Sequence, residues 1–212
     1  MLIAGAKRHA VEVIQLFVQN NEHKNLCFFD DINTDNSLFL YDEFEILNSL
    51  QSAKKYFKAV DSRFVLGLGN PKLRMILTDK LEKEGGILTS AISNSALIGS
   101  YNIKLSLGLN IMNFVTISNN SIIKKGTLIN SYVSVHHDVI IGEFCEVSPH
   151  AVLLGGVKVG DYTSIGANAT ILPNIKIGCN VKVGAGAVVT KDLPDNCTAV
   201  GVPAKIIQKR IS

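Results

Sequence analysis

The chain has 212 residues, with 21 Lys and Arg against 18 Asp and Glu, five His, four Cys and no Trp. A net charge of +3, with no basic arm and no aromatic ladder evident, excludes the charge density of a nucleic-acid-binding protein. The length fits one large or two small domains.

The charge is unevenly placed. Residues 1–98 carry 11 Lys and Arg against 12 Asp and Glu, whereas residues 99–212 carry 10 against 6. The excess sits on the second half, enough to attract a small polyanion such as a coenzyme. Cys27, Cys145, Cys179 and Cys197 show no CxxC or paired spacing and read as reduced core thiols, with Cys145 and Cys179 as small fillers inside a repeat. Gly5, Lys7, Arg8 and His9 interrupt the apolar start, so no signal-peptide layout is seen, and no run approaches the ~18 apolar residues of a membrane span. A cytoplasmic protein without membrane insertion is expected.

In chain order, Met1 to Ala6 is a short apolar strand ending near Gly5. Val11, Ile14, Leu16 and Phe17, with Glu12, Gln15 and Gln19 between them, give the spacing of an amphipathic helix. Asn25 to Asp31 reads as a second strand ending in two acids, and Arg63 to Asn70 as a third ending in a Gly-rich turn. Pro71 then starts a helix that runs to about Glu84. Strands alternating with helices imply a small parallel sheet, whose ligand-facing edge lies at the carboxyl ends of the strands. Gly5, Asp30, Asp31, Gly67, Gly69 and Asn70 all fall there. The full GxGxxG spacing of an NAD site is absent.

From Ile111 onward the pattern changes. Every sixth residue through Val189 is Ile, Val or Leu, and the fifth position of each hexad is mostly small, as at Val115, Ser121, Thr127, Cys145, Ala151 and Ala187. Neither a helix nor an ordinary series of strands and turns keeps a period of six. Each hexad must turn two side chains inward, and Gly at the second position (Gly142, Gly160, Gly166, Gly178, Gly184) is expected to supply the bend. This is a parallel solenoid of stacked short strands. Ile98 to Asn110 reads as an irregular first coil.

These hexads, with the closing GVPAK segment Gly201 to Lys205, resemble the left-handed β-helix of the hexapeptide-repeat acyltransferases. The N-terminal part resembles that of sugar acetyltransferases typified by the bacterial enzyme acetylating a UDP-4-amino-4,6-dideoxy sugar and by the sialic-acid O-acetyltransferases. The resemblance implies a mixed fold: a small α/β Rossmann-like N-terminal domain over residues 1–92, then a left-handed parallel β-helix over 93–212. Where the family reads roughly GAxGHG at its first nucleotide-holding turn, this chain has Gly5, Ala6, Lys7, Arg8, His9 and Ala10. Lys7 and Arg8 at a helix N-terminus are candidates for contact with a diphosphate.

The segment SVHHDVIIGEF is similar to the family's catalytic stretch. By that resemblance His137 is the general base and Asp138 holds its imidazole, with His136 as the fallback. The same likeness places Gly155 at the acetyl carbonyl, Glu146, Ala167 and Ala185 along the coenzyme groove, and Asn130 near the acceptor. Gly5, Ala6, Lys7, Asp30, Asp31 and Gly69 complete the expected substrate-binding set. A member of that family carries His where Glu146 stands here. Lys158, Lys176, Lys182, Lys205 and Lys209 are candidates for the coenzyme phosphates.

The implied activity is acetyl-CoA-dependent N-acetylation of a UDP- or dTDP-linked 4-amino-deoxy sugar, in a homotrimer with active sites between subunits. Alternatives are O-acetylation of sialic acid or another surface sugar, and a non-catalytic scaffold or nucleotide-sugar-binding protein. A zinc site like that of the γ-class carbonic anhydrases is disfavoured, because His136 and His137 point to different sides and His150 lies thirteen residues on. No metal is expected.

Overall fold

The computed structural model describes residues 1–33 and 38–209. Its N-terminal part runs β1 (Leu2–Ala4), α1 (His9–Gln19), β2 (Cys27–Phe29), β3 (Phe39–Leu40), β4 (Phe44–Leu47), α2 (Leu50–Ala59), β5 (Arg63–Leu66), α3 (Pro71–Lys83) and β6 (Ile87–Leu88). The sheet order is β3-β4-β2-β1-β5-β6, parallel except for the β3–β4 pair. The central strands are buried on both faces, as a parallel sheet covered by helices requires. Ile3, Phe28 and Val65 pack under α1, while Leu2, Phe29, Phe64 and Leu66 pack under α2 and α3.

Four elements carry no expectation from the sequence: β3, β4, α2 and β6. The helix α2 had a local signal in Ser49, whose hydroxyl accepts from Ser52 N at 3.2 Å as an N-cap. Its charged, mostly exposed sequence hid the apolar stripe, of which only Ala53 and Phe57 are buried.

A passage of two residues then leads directly into the second sheet system. Ala91–Ile92 already pairs with Asn110–Ile111, so the domains part ahead of the expected break after residue 92. From here two-residue strands recur on three faces. The first face carries strands at Ala91–Ile92, Asn110–Ile111, Leu128–Ile129, Glu146–Val147, Ser164–Ile165 and Lys182–Val183, closed by Cys197–Val200 and the antiparallel Lys205–Lys209. The second carries Leu97–Ile98, Thr116–Ile117, Ser134–Val135, Val152–Leu153, Thr170–Ile171 and Val188–Val189, and the third runs from Lys104–Leu105 to Lys176–Ile177. Between Lys104 and Val189 successive coils pair in parallel eighteen residues apart, as in Ser134↔Val152. The result is a left-handed parallel β-helix, three hexads to the coil. Its first coil is regular apart from one extra residue between Ile98 and Leu105.

The inward residues form one continuous apolar cluster from Leu109 to Ala199. At the small inward position Ser121, Thr127 and Thr163 are fully buried, and their hydroxyls donate to His136 O, Gly142 O and Gly178 O at 3.0, 2.7 and 2.8 Å. Each buried hydroxyl is thereby satisfied, so a polar filler costs the core little.

The bend is not where the sequence placed it. Left-handed backbone recurs at the fourth position, every sixth residue from Phe114 (φ 59) to Gly186 (φ 66). The second-position glycines have ordinary φ and serve close approach between coils instead. A Cβ on Gly160 would lie 2.6 Å from Cys179 N and from Gly178 C, both backbone atoms. Gly160→Ala is therefore expected to destabilise by about 1–3 kcal/mol, the usual cost of overpacking. Gly186→Asn, at an open left-handed corner with nothing within 4 Å, is expected within about 0.5 kcal/mol of the parent. Urea unfolding of the two variants checks this contrast.

Cys179 sits at the outward third position and is exposed, not packed inside the coil, whereas Cys27, Cys145 and Cys197 are buried; among the described residues none of the four forms a disulfide.

The N-terminal domain packs on the upper part of the first face. Met112 and Leu128 join the α1 side of its core, and Phe144 joins the α3 side. Between the domains the Arg74 side chain is fully buried.

Candidate active site

Two corners flank the second face. The corner leading out of it toward the third face carries His137, Asp138 and Gly155, at the same level of successive coils. Asp138 takes the left-handed fourth position (φ 60), which Asp tolerates better than most side chains. Its carboxylate turns back so that Oδ2 lies 2.7 Å from His137 Nδ1. With Nδ1–H donating to that carboxylate, Nε2 is left as the acceptor that a general base needs. The ring is exposed at 66% and open to an incoming acceptor.

Gly155 lies directly beneath the imidazole. Gly156 N donates to His137 O at 3.0 Å and Asn174 N to Gly155 O at 2.9 Å, which stacks the three coils. A Cβ on Gly155 would sit 2.7 Å from His137 Nε2, so only Gly leaves the ring its place. The Gly155 N–H meets no acceptor among the described residues and is available to a developing oxyanion. The His137 imidazole and the Gly155 N–H thus share one corner.

The other residues of the expected coenzyme groove are elsewhere on the chain. Ala167 and Ala185 occupy the corner between the first and second faces, and Asn130, on that same corner, is buried with Nδ2 donating to Val147 O at 3.2 Å. Glu146 stands on the first face under the N-terminal domain, where a Cβ on Gly69 would come within 3.2 Å of its Oε1. Burial pushes its carboxyl pKa up, against the pull of Arg74 and Lys182. It lines a cleft of about 530 Å³ between the domains with Asn70, Ser164 and Lys182. No single corner of one chain gathers the whole set.

Of the expected substrate residues Asn130 stands apart, on the solenoid corner, and the other six lie together. Gly5, Ala6, Lys7, Asp30, Asp31 and Gly69 line one cavity of about 540 Å³ at the carboxyl ends of β1, β2 and β5. Arg8 takes φ 50 and ψ −110 at the start of α1, a conformation Gly adopts more easily. Asp30 is engaged by its own turn, accepting from Ile32 N at 3.1 Å and Asn33 N at 2.9 Å, and Asp31 is paired with Lys80 at 2.9 Å. The sequence did not reveal Lys80, Leu73 and Ile76, which line the same cavity from α3; their spacing on the helix was the only signal. His9, also in the wall, bonds Glu12 at 2.9 Å and has a buried Nε2 without a partner among the described residues.

On the third face Lys158 and Lys176 are paired neighbours. His136 and His150 lie on different corners from one another. Among the described residues no group of three or more His, Cys, Asp or Glu could hold a metal ion, and no helix is long and apolar enough to cross a membrane.

Comparison with known proteins matches residues 1–81 to the PglD N-terminal domain and residues 120–155 and 156–191 to the bacterial transferase hexapeptide of six repeats. Among solved structures, PerB from Caulobacter crescentus, in complex with CoA and GDP-perosamine, is 32% identical with a TM-score of 0.89, covering 98% of this chain and 96% of its own. WeeI from Acinetobacter baumannii is 28% identical with a TM-score of 0.87, over 97% and 98%. The acetyltransferase domain of PglB from Neisseria gonorrhoeae is 25% identical with a TM-score of 0.88, over 97% and 98%; it has also been solved with acetyl coenzyme A. No curated protein matches in sequence.

Proposed function

The chain belongs to the PglD-type hexapeptide-repeat sugar N-acetyltransferases, and from that premise we propose how its own residues act. The enzyme transfers an acetyl group from acetyl-CoA to the amine of a nucleotide-linked amino sugar. His137 Nε2 takes the proton of the attacking amine, Asp138 holds the ring, and the Gly155 N–H faces the carbonyl oxygen as negative charge gathers on it. The new bond is C–N, the broken one C–S, and the proton held by His137 passes to the departing thiolate. The observation that carries this reading is the single corner on which His137, Asp138 and Gly155 meet. The nucleotide handle belongs in the cavity of Gly5, Ala6, Lys7, Asp30, Asp31 and Gly69, with the start of α1 toward the diphosphate.

The assembly is a homotrimer with its sites between subunits. On the second face the outward residue of each strand is Leu97, Thr116, Ser134, Val152, Thr170 or Val188, none of them charged. The third face carries Lys104, Lys158 and Lys176 at the same position. A threefold axis facing the middle of the uncharged face would bring its two flanking corners against each other in neighbouring copies. His137 and Gly155 of one chain then meet Asn130, Ala167 and Ala185 of the next, at the level of shared coils spaced about 4.8 Å apart. The coenzyme groove that one chain leaves divided is completed this way, and the lysines of the third face flank its outer end.

N-acetylation is favoured over O-acetylation because the perosamine enzyme, 31% identical over 98% of this chain, is an N-acetyltransferase. Dependence on acetyl-CoA favours the cytoplasm. The test is a coenzyme-release assay with nucleotide-linked amino sugars alongside light scattering of the free protein. A monomer of 22.9 kDa in solution would sink the assembly.

A further inference from the structure

The corner between the first and second faces carries three stacked rings. Phe114 and Tyr132 lie 5.0 Å apart between centroids, Tyr132 and His150 4.8 Å with an interplanar angle of 2°. They are spaced by eighteen residues, so a local scan of the sequence shows no ladder. All three occupy left-handed backbone, at φ 59, 63 and 60. Elsewhere Asn or Gly takes this position, as at Asn120, Gly126 and Gly156 on the other corners and at Asn168 further along this one, and a bulky ring there is the less favourable choice.

A second stacked pair shows what such rings do in this molecule. Phe144 and Tyr162 sit at the same position on the corner between the third and first faces, where the N-terminal domain covers them and Phe144 is buried at 4%. Phe114 and Tyr132 remain 53% and 51% exposed, and His150 is exposed too. Nothing among the described residues covers that ladder.

The geometry points to Tyr132 and His150, extended by Phe114, as an aromatic wall that stacks on the ring of the acceptor sugar while His137 of the partner subunit takes the proton. This rests on the trimer proposed above. Tyr132 and His137 belong to one coil, so a threefold rotation brings them to the same level on opposite sides of one groove. Tyr132 also follows Asn130 by two residues on the corner that closes on the partner. A deoxy amino sugar presents C–H groups on one ring face and a methyl or methylene where a fully hydroxylated sugar is polar, and that apolar face suits a stacked aromatic surface. The ladder thereby selects deoxy sugars over hydroxylated ones.

Tyr132→Ala, and the double variant Tyr132→Ala with His150→Ala, are expected to raise KM for the nucleotide-linked deoxy amino sugar roughly tenfold or more. The KM for acetyl-CoA and kcat should change by less than about twofold, the trimer should persist in light scattering, and Tyr132→Phe should behave like the parent. Mixed trimers made from His137→Ala chains and double-variant chains should regain activity, because one interface in such a trimer carries both intact partners.

An unchanged sugar KM with an intact trimer would overturn the wall alone. So would a rise in KM for acetyl-CoA instead, which would put the coenzyme on the rings. Loss of the trimer in Tyr132→Ala would make the ladder a packing contact only, and a monomeric parent would overturn wall and assembly together.

Discussion

Replacing His137 with alanine is expected to lower kcat by about 10²–10⁴-fold, the usual share of a positioned general base. The fold should not change. The His137 side chain is 66% exposed, its ring touches no core residue that would collapse, and Gly156 N continues to bond the residue 137 carbonyl. KM for acetyl-CoA should stay near the parent value, since the removed group acts on the amine as it attacks. Glutamine at 137 should be nearly as poor as alanine, because it restores bulk without a proton acceptor of suitable pKa. Coenzyme release followed at saturating substrates, with circular dichroism as the fold control, reads the effect. A loss confined to KM would assign His137 to binding instead.

The second large effect is on stability. Arg74 is fully buried between the domains. Its guanidinium donates to Leu68 O at 2.6 Å, Gly126 O at 2.8 Å, Asn110 Oδ1 at 2.7 Å and Gly108 O at 3.5 Å. Burial pushes its pKa down to about 9, with Glu146 pulling the other way, and at neutral pH it stays charged. Arg74→Ala would leave those acceptors buried without donors and open a cavity, an expected cost of about 3 kcal/mol or more. Arg74→Lys should recover only part, because a point charge cannot reach acceptors on both domains as the planar fork does. Leu68 lies in the wall of the substrate cavity, so a raised KM for the sugar should accompany the lost stability. Urea unfolding of the three proteins measures it, and a change under about 0.5 kcal/mol for Arg74→Ala would contradict the interdomain role.

In the sequence Arg74 is one of several charges on the helix that Pro71 opens. Nothing local marks a guanidinium whose acceptors lie more than thirty residues away on another domain. The β-helix was legible for the opposite reason: each coil repeats the same burial problem, so Ile, Val and Leu recur with a fixed period and set the register. That register put His137 and Gly155 on one corner, eighteen residues apart. Two details of it were misread. Gly at the second position answers to backbone atoms of the next coil, as at Gly160, and the bend falls instead at a fourth position shared by Asn, Asp, Gly and aromatic residues. Cys179 lies inside the repeat, where a small apolar filler is expected, yet its third position faces out.

The substrate cavity was legible at its strand ends and not on α3, because Leu73, Ile76 and Lys80 take their meaning only from the sheet beside them. Ala167, Ala185 and Asn130 belong to a corner that His137 never meets within one chain. In the proposed trimer they group with it across a subunit boundary, which a single chain does not display.

The central claim is transfer of an acetyl group to the sugar amine with His137 as base. The most direct test is mass spectrometry and NMR of the product after incubating the enzyme with acetyl-CoA and a nucleotide-linked 4-amino-deoxy sugar. The account predicts a gain of one acetyl group on nitrogen, at a rate that collapses in His137→Ala. Acetylation on oxygen, or an undiminished rate in that variant, would contradict it.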